Sequence, residues 1–142
     1  MNQDPDLSLL LNEIEQMKLV EKRADAAFWV HKILKDFKIL KDFTGNLPDK
    51  FKDAKIEDEN LQMTAEGFKY KNNHVAISAD SLKTYVDGKF IFEFSKNKSV
   101  GNSDILEDVS NCFAEISLKF RTNLMQQILA YEKELIEELE NF

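Results

Sequence analysis

Glycine and proline are scarce in this sequence, with four glycines and two prolines among 142 residues. Gly45, Gly67, Gly88 and Gly101 lie with Pro48 in the middle of the chain, and Pro5 stands near its start. Two long stretches, Asp6 to Thr44 and Asn102 to Phe142, therefore hold neither of the strong helix breakers. The single cysteine, Cys112, excludes an internal disulfide and fits a reducing compartment. Its apolar helical setting reads as that of a buried, inert thiol. No run approaches the roughly 20 apolar residues that a membrane span needs. The first residues carry Asp4 and Asp6 in place of a basic region, and Leu9 to Leu11 is too short for a secretion signal. The expected location is cytoplasmic, with no membrane partner. Asn97-Lys98-Ser99 matches the glycosylation acceptor triplet, a pattern too frequent to argue for secretion alone.

Chemical motifs are also missing. There is no glycine-rich phosphate loop, no serine in a nucleophile elbow and no basic cluster interleaved with exposed aromatics. His31 and His74 fall on different elements with no acidic or cysteine ligand at a recognised spacing, so each reads as a surface or half-buried histidine. Neither spacing nor composition pairs them with Cys112. The scattered carboxylates, Glu13, Glu15, Asp25 and Asp36 among them, have no sign of the cleft that paired acid–base catalysis requires. No catalytic residue, cofactor or metal is expected.

Charge is abundant but uneven. The net charge of −7 comes from 26 acids and 19 bases. Residues 102–142 hold nine acids and three bases, a difference of −6, so nearly all the excess lies in the last segment. Direct binding of DNA or RNA through phosphate neutralisation is therefore not expected.

The two breaker-free stretches have helical periodicity. In the first, over about residues 6–44, Asp4 is placed to cap and Pro5 to occupy the first helical position. Leu7, Leu10, Ile14, Met17, Ala24 and Phe28 recur at spacings of three, four or seven, and Val30, Leu34, Phe37 and Leu40 continue on a slightly rotated stripe. That rotation predicts a bend or break near Glu21-Lys22-Arg23. Trp29 and Phe28 are adjacent, so they cannot point the same way, and one of them can serve as an interface anchor. Thr44-Gly45 supplies a C-terminal stop.

Residues 45–60 read as a connection, with a turn or short helix at Leu47-Pro48-Asp49 from which Phe51 and Ile56 can reach the core. A meander follows over about 61–95, with strand-like segments Leu61–Thr64, Phe68–Lys71, Val75–Ala79, Leu82–Val86 and Lys89–Phe94. Asn72-Asn73 and Asp87-Gly88 mark tight turns. Alternation puts Phe90, Phe92 and Phe94 on one face that needs helical cover. Lys69, Lys71, Lys83 and Lys89 read as a wet face or a guarded edge. The expectation is one α+β domain over residues 1–142, with long terminal helices packed on a three- to four-stranded antiparallel sheet.

The last helix, about 102–142, starts near Asn102 or Ser103. Its apolar row runs Leu106, Val109, Phe113, Ile116, Phe120, Leu124, Ile128, Tyr131, Leu135, Leu139 and Phe142. At about 1.5 Å per residue it would run some 55–60 Å, while a domain of this length is only about 30–35 Å across. Part of the row must outrun the body and wait for a partner, either another protein or a second copy. The expected partner-binding residues are Tyr131, Glu134, Leu135, Ile136, Glu138 and Leu139, with the glutamates steering toward a basic surface. The functional expectation is a small acidic protein-binding protein of the inhibitor, immunity or secretion-chaperone kind, not an enzyme. A homodimer through the same strip fits equally. Two rivals stand beside it. An acidic mimic of nucleic acid is weakened by Lys119 and Arg121, which interrupt the acidic stripe. An enzyme built on His31 or His74 would need a cleft beside one of them.

Overall fold

A computed structural model describes residues 7–142. Asp4 and Pro5 lie outside the described residues. Two long helices, α1 (Leu7–Gly45) and α2 (Leu106–Glu140), flank an antiparallel sheet of six strands ordered as they occur in the chain. These are β1 (Leu61–Met63), β2 (Gly67–Tyr70), β3 (Asn73–Ile77), β4 (Ser81–Val86), β5 (Lys89–Ser95) and β6 (Lys98–Gly101). The fold class is the α+β arrangement that the sequence suggests, but the sheet has six strands where three or four were expected. The strand with no earlier sign is β6, whose four residues are all exposed. Exposed on both faces, it carries no apolar alternation to read. A short 3-10 turn at Asp49–Phe51 brings Phe51 against Tyr131, with ring centroids 5.8 Å apart.

One face of the sheet makes the core. Phe68, Val75, Thr84 and Phe92 lie opposite one another on β2 to β5, and all four are buried. Phe113 of α2 stacks on Phe68 at 4.2 Å, and Ile33, Leu40, Leu106 and Val109 complete the layer. The other face carries Lys69, His74, Tyr85 and Phe90, with Lys83 and Lys98 ion-paired to Glu93 at 3.8 and 3.6 Å.

Phe90 does not share a face with Phe92. Thr84 pairs with Phe92 but Tyr85 pairs with Phe90, so Ile91 is an extra residue that resets the alternation. Phe92 is buried, whereas Phe90 turns to the outer face, its ring 6.1 Å from that of Tyr85. The Asp87-Gly88 turn forms as expected, both residues having positive φ. The β2–β3 turn instead centres on Lys71 and Asn72, because Asn73 already pairs with Tyr70.

Helix α1 is unbroken at Glu21-Lys22-Arg23. The rotation there is a change of face rather than of direction. Ala26, Val30, Ile33 and Leu40 are buried and Phe37 is half-buried, whereas Leu7, Leu10, Ile14, Met17, Ala24, Phe28 and Leu34 are exposed. Periodicity identifies an apolar stripe but not the side the body lies on, so the first stripe reads as core and is not.

The helices run parallel, a direction the sequence leaves open. Along α1 in order, the Lys32 ammonium donates to the Asn111 side-chain carbonyl at 3.5 Å, Phe37 meets Phe113 at 6.5 Å and Phe43 meets Phe120 at 6.3 Å. Each pair differs by about 77 positions, so α1 leads α2 by about 22 residues, or some 33 Å. The helices therefore project from opposite ends of the body.

Candidate functional site

The exposed apolar surface gathers at the two projections. Every residue from Leu7 to Lys22 on α1 is exposed, and so is every residue from Glu132 to Phe142 at the end of α2. Each projection leaves the body at an anchor. At the first, the Arg23 guanidinium donates to the backbone carbonyls of Ser95 (3.2 Å) and Lys96 (2.9 Å) and lies 4.8 Å over the Phe94 ring. These contacts fix α1 to the β5–β6 turn. Lys22, Arg23, Lys96, Asn97 and Asn102 line an open depression of about 810 Å³ there, in which Arg23 is already committed to the two carbonyls.

At the second, the Tyr131 ring is half-buried between Phe51 and the Lys50 ammonium, which sits 3.9 Å above it. Tyr131 is thus occupied within its own body. The other five residues expected to bind a partner, Glu134, Leu135, Ile136, Glu138 and Leu139, lie beyond it and are exposed, Leu139 most among the leucines at 75%. Leu135 and Leu139 prolong the buried row of Leu124 and Ile128. Ile136 extends a second row, Leu118, Met125 and Leu129, which is exposed throughout. At 3.6 residues per turn, Leu135, Leu139 and Ile136 fall within an arc of about 100°, and Glu134, Glu137, Glu138 and Glu140, with Lys133 among them, occupy the rest. Among the described residues, no cation pairs with these glutamates. The tip is an apolar strip beside an acidic one.

The candidate chemical groups are dispersed. His31 is exposed on α1, and His74 lies on the outer sheet face, 5.9 Å from the Tyr85 ring. Among the described residues, no three of His, Cys, Asp and Glu stand where a metal ion could be held. Cys112 is half-buried, not fully buried, because it lies at the rim of the core where its thiol donates to Asp108 at 3.6 Å. Hydrogen bonding to the Cys112 thiol, together with burial, holds the Tyr70 phenol above its ordinary pKa, partly offset by Lys71. The Lys71 ammonium is raised in turn, chiefly by its hydrogen bond to Tyr70.

Sequence reasoning missed the α1 projection as a candidate surface. Its signal, the row Leu7, Leu10, Ile14 and Met17, was visible but has the same spacing as a core stripe. Comparison with protein-family profiles, curated proteins and solved structures found no match.

Proposed function

We propose that this is a non-enzymatic, cytoplasmic protein-binding protein, acting as an acidic inhibitor or escort through the tip of α2. The observation that supports it is the unbroken run of α2 past its last contact with the body at Tyr131, presenting Leu135, Ile136 and Leu139 beside an unpaired acidic strip. The complementary surface is an apolar groove with a basic rim. Docking buries the three aliphatic side chains, and the glutamates speed encounter and reject acidic surfaces.

A synthetic basic amphipathic helix, with leucines on one face and lysines around it, is a suitable probe. Titrated by fluorescence anisotropy, it binds the full chain with an affinity that falls as salt rises. Replacing Leu135, Ile136 and Leu139 together by Ser, with every glutamate kept, weakens binding by roughly tenfold or more. Undiminished binding by that variant would reduce the tip to a charged, solubilising terminus and end the proposal.

A further inference from the structure

The α1 projection has an apolar seam with a period of seven. Written as heptads, Leu7, Ile14, Glu21 and Phe28 occupy one core position and Leu10, Met17 and Ala24 the other. Leu11 and Val20 flank the seam and widen it. All nine residues are exposed, including Ala24 and Phe28, which lie alongside the body. The seam is not a prolongation of the core stripe. At about 100° per residue, its centre lies roughly 160° around the helix from the row Ala26, Val30, Ile33, Phe37 and Leu40. Of the residues that do prolong the core row beyond the body, Ser8, Asn12 and Glu15 are polar and Leu19 alone is a large apolar side chain. A helix laid on the seam therefore meets neither the sheet nor α2.

We propose that the seam is occupied by α1 of a second copy of this chain, as a parallel, in-register two-stranded coiled coil over residues 7–28. Charge selects the occupant and its direction. In that alignment Glu13 on one side of the seam faces Lys18 of the other copy, twice over by symmetry. The antiparallel alignment that stacks Ile14 on Met17 sets Glu13 against Val20 and Lys18 against Leu11, and makes neither ion pair. Ile14 at the first core position and Leu10 at the second also favour two strands. Glu21 facing its own copy is the cost of this register. The seam is separate from the α2 tip, so this inference does not rest on the function proposed above.

Sedimentation equilibrium on the full chain, across micromolar to millimolar concentrations, tests it. The expected mass is twice the 16.5 kDa of one chain. Ile14→Asp with Met17→Asp raises the dissociation constant by on the order of a hundredfold or more. Both side chains are exposed, at 40% and 62%, so the body keeps its fold, checked by circular dichroism. Glu13→Lys or Lys18→Glu alone weakens the dimer by roughly two- to tenfold, and the double exchange restores it. Within one helix these residues are five apart and do not meet, so rescue reports a contact between copies. Glu21→Leu tightens the dimer. A native chain that stays monomeric, a dimer indifferent to Ile14→Asp with Met17→Asp, or an exchange that fails to rescue overturns the proposal. So does a dimer abolished by removing residues 131–142, which would place the seam on α2.

Discussion

Residues 7–22 and residues 26–40 belong to one continuous helix, and both are rich in large apolar side chains, yet only the second set lies against a body. Over 26–40 the inward residues meet Phe113, Leu106 and Val109 of α2, while lysines at 35 and 38 cover the outside. Over 7–22 the seam of Leu7, Leu10, Ile14 and Met17 lies on the side away from the core row, Leu19 continues that row with nothing to cover it, and α2 has not yet begun. Composition and periodicity are alike in the two regions. What separates them is the stagger of two parallel helices, set by where the meander returns the chain. An apolar stripe is a request for cover, and the topology decides whether its own chain answers it.

The largest expected effect lies in the covered region. Phe113 is buried, stacked on Phe68 at 4.2 Å and 6.5 Å from Phe37. Phe113→Ala should cost about 3–5 kcal/mol through lost transfer energy and the cavity left behind. Met17→Ala, in dilute solution where chains are separate, should change stability by no more than about 0.5 kcal/mol. Urea denaturation of both variants at two protein concentrations checks the contrast. A Met17→Ala cost comparable to that of Phe113→Ala in dilute solution would mean that α1 packs on its own body after all.

Much of the architecture was legible for a physical reason. Both helices, the Asp87-Gly88 turn and the succession of strands follow from local rules about breakers, φ > 0 and alternation, so they stand near where the residues place them. The start of α2 was displaced, from Asn102 or Ser103 to Leu106. The Asn102 side chain instead accepts from the Asp104 amide, and the Ser103 carbonyl accepts from the Leu106 amide, forming a turn ahead of the helix. The bulge at Ile91 was not legible, because an extra residue in one strand leaves no mark in composition. The direction of the helices, and with it the exposure of Leu7 to Met17, depends on long-range closure. For the α2 tip, five of six named residues are exposed where the apolar row outruns the body. The sixth, Tyr131, is taken by Phe51, from a connection whose path no periodicity describes.

Two glycines sharpen the same contrast at a smaller scale. Gly101 has φ +98°, and a Cβ there would collide with the carbonyl oxygen of Ile91, the residue at the bulge. Gly101→Ala should therefore cost toward the upper end of the ~1–3 kcal/mol typical of strained backbone. Gly45, at the end of α1, has nothing within 4 Å of an added Cβ. There Gly45→Ala should gain about 0.5 kcal/mol from the lower entropy of the unfolded chain. Thermal melts of the two variants should move in opposite directions, and a neutral Gly101→Ala would refute the close approach of β6 to the bulge.

The smallest effect is a pH dependence confined to the covered region. Tyr70 is buried, and its phenol is held above its ordinary pKa first by the hydrogen bond with Cys112 and then by burial. A raised acid binds its proton more tightly folded than unfolded. Its stabilising contribution is therefore complete below the unfolded pKa, near 10, and is lost as pH rises toward the folded value. Lys71, raised chiefly by its hydrogen bond to Tyr70, acts with the same sign, although solvent screens an ammonium so exposed. The melting temperature should be level from neutral pH to about 9 and turn down above 10. Tyr70→Phe should lower the plateau slightly, by loss of the hydroxyl's partner, while removing most of the downturn. If the downturn persists in Tyr70→Phe, the alkaline loss belongs to the lysines at large, and the Tyr70–Cys112 contact has no part in it.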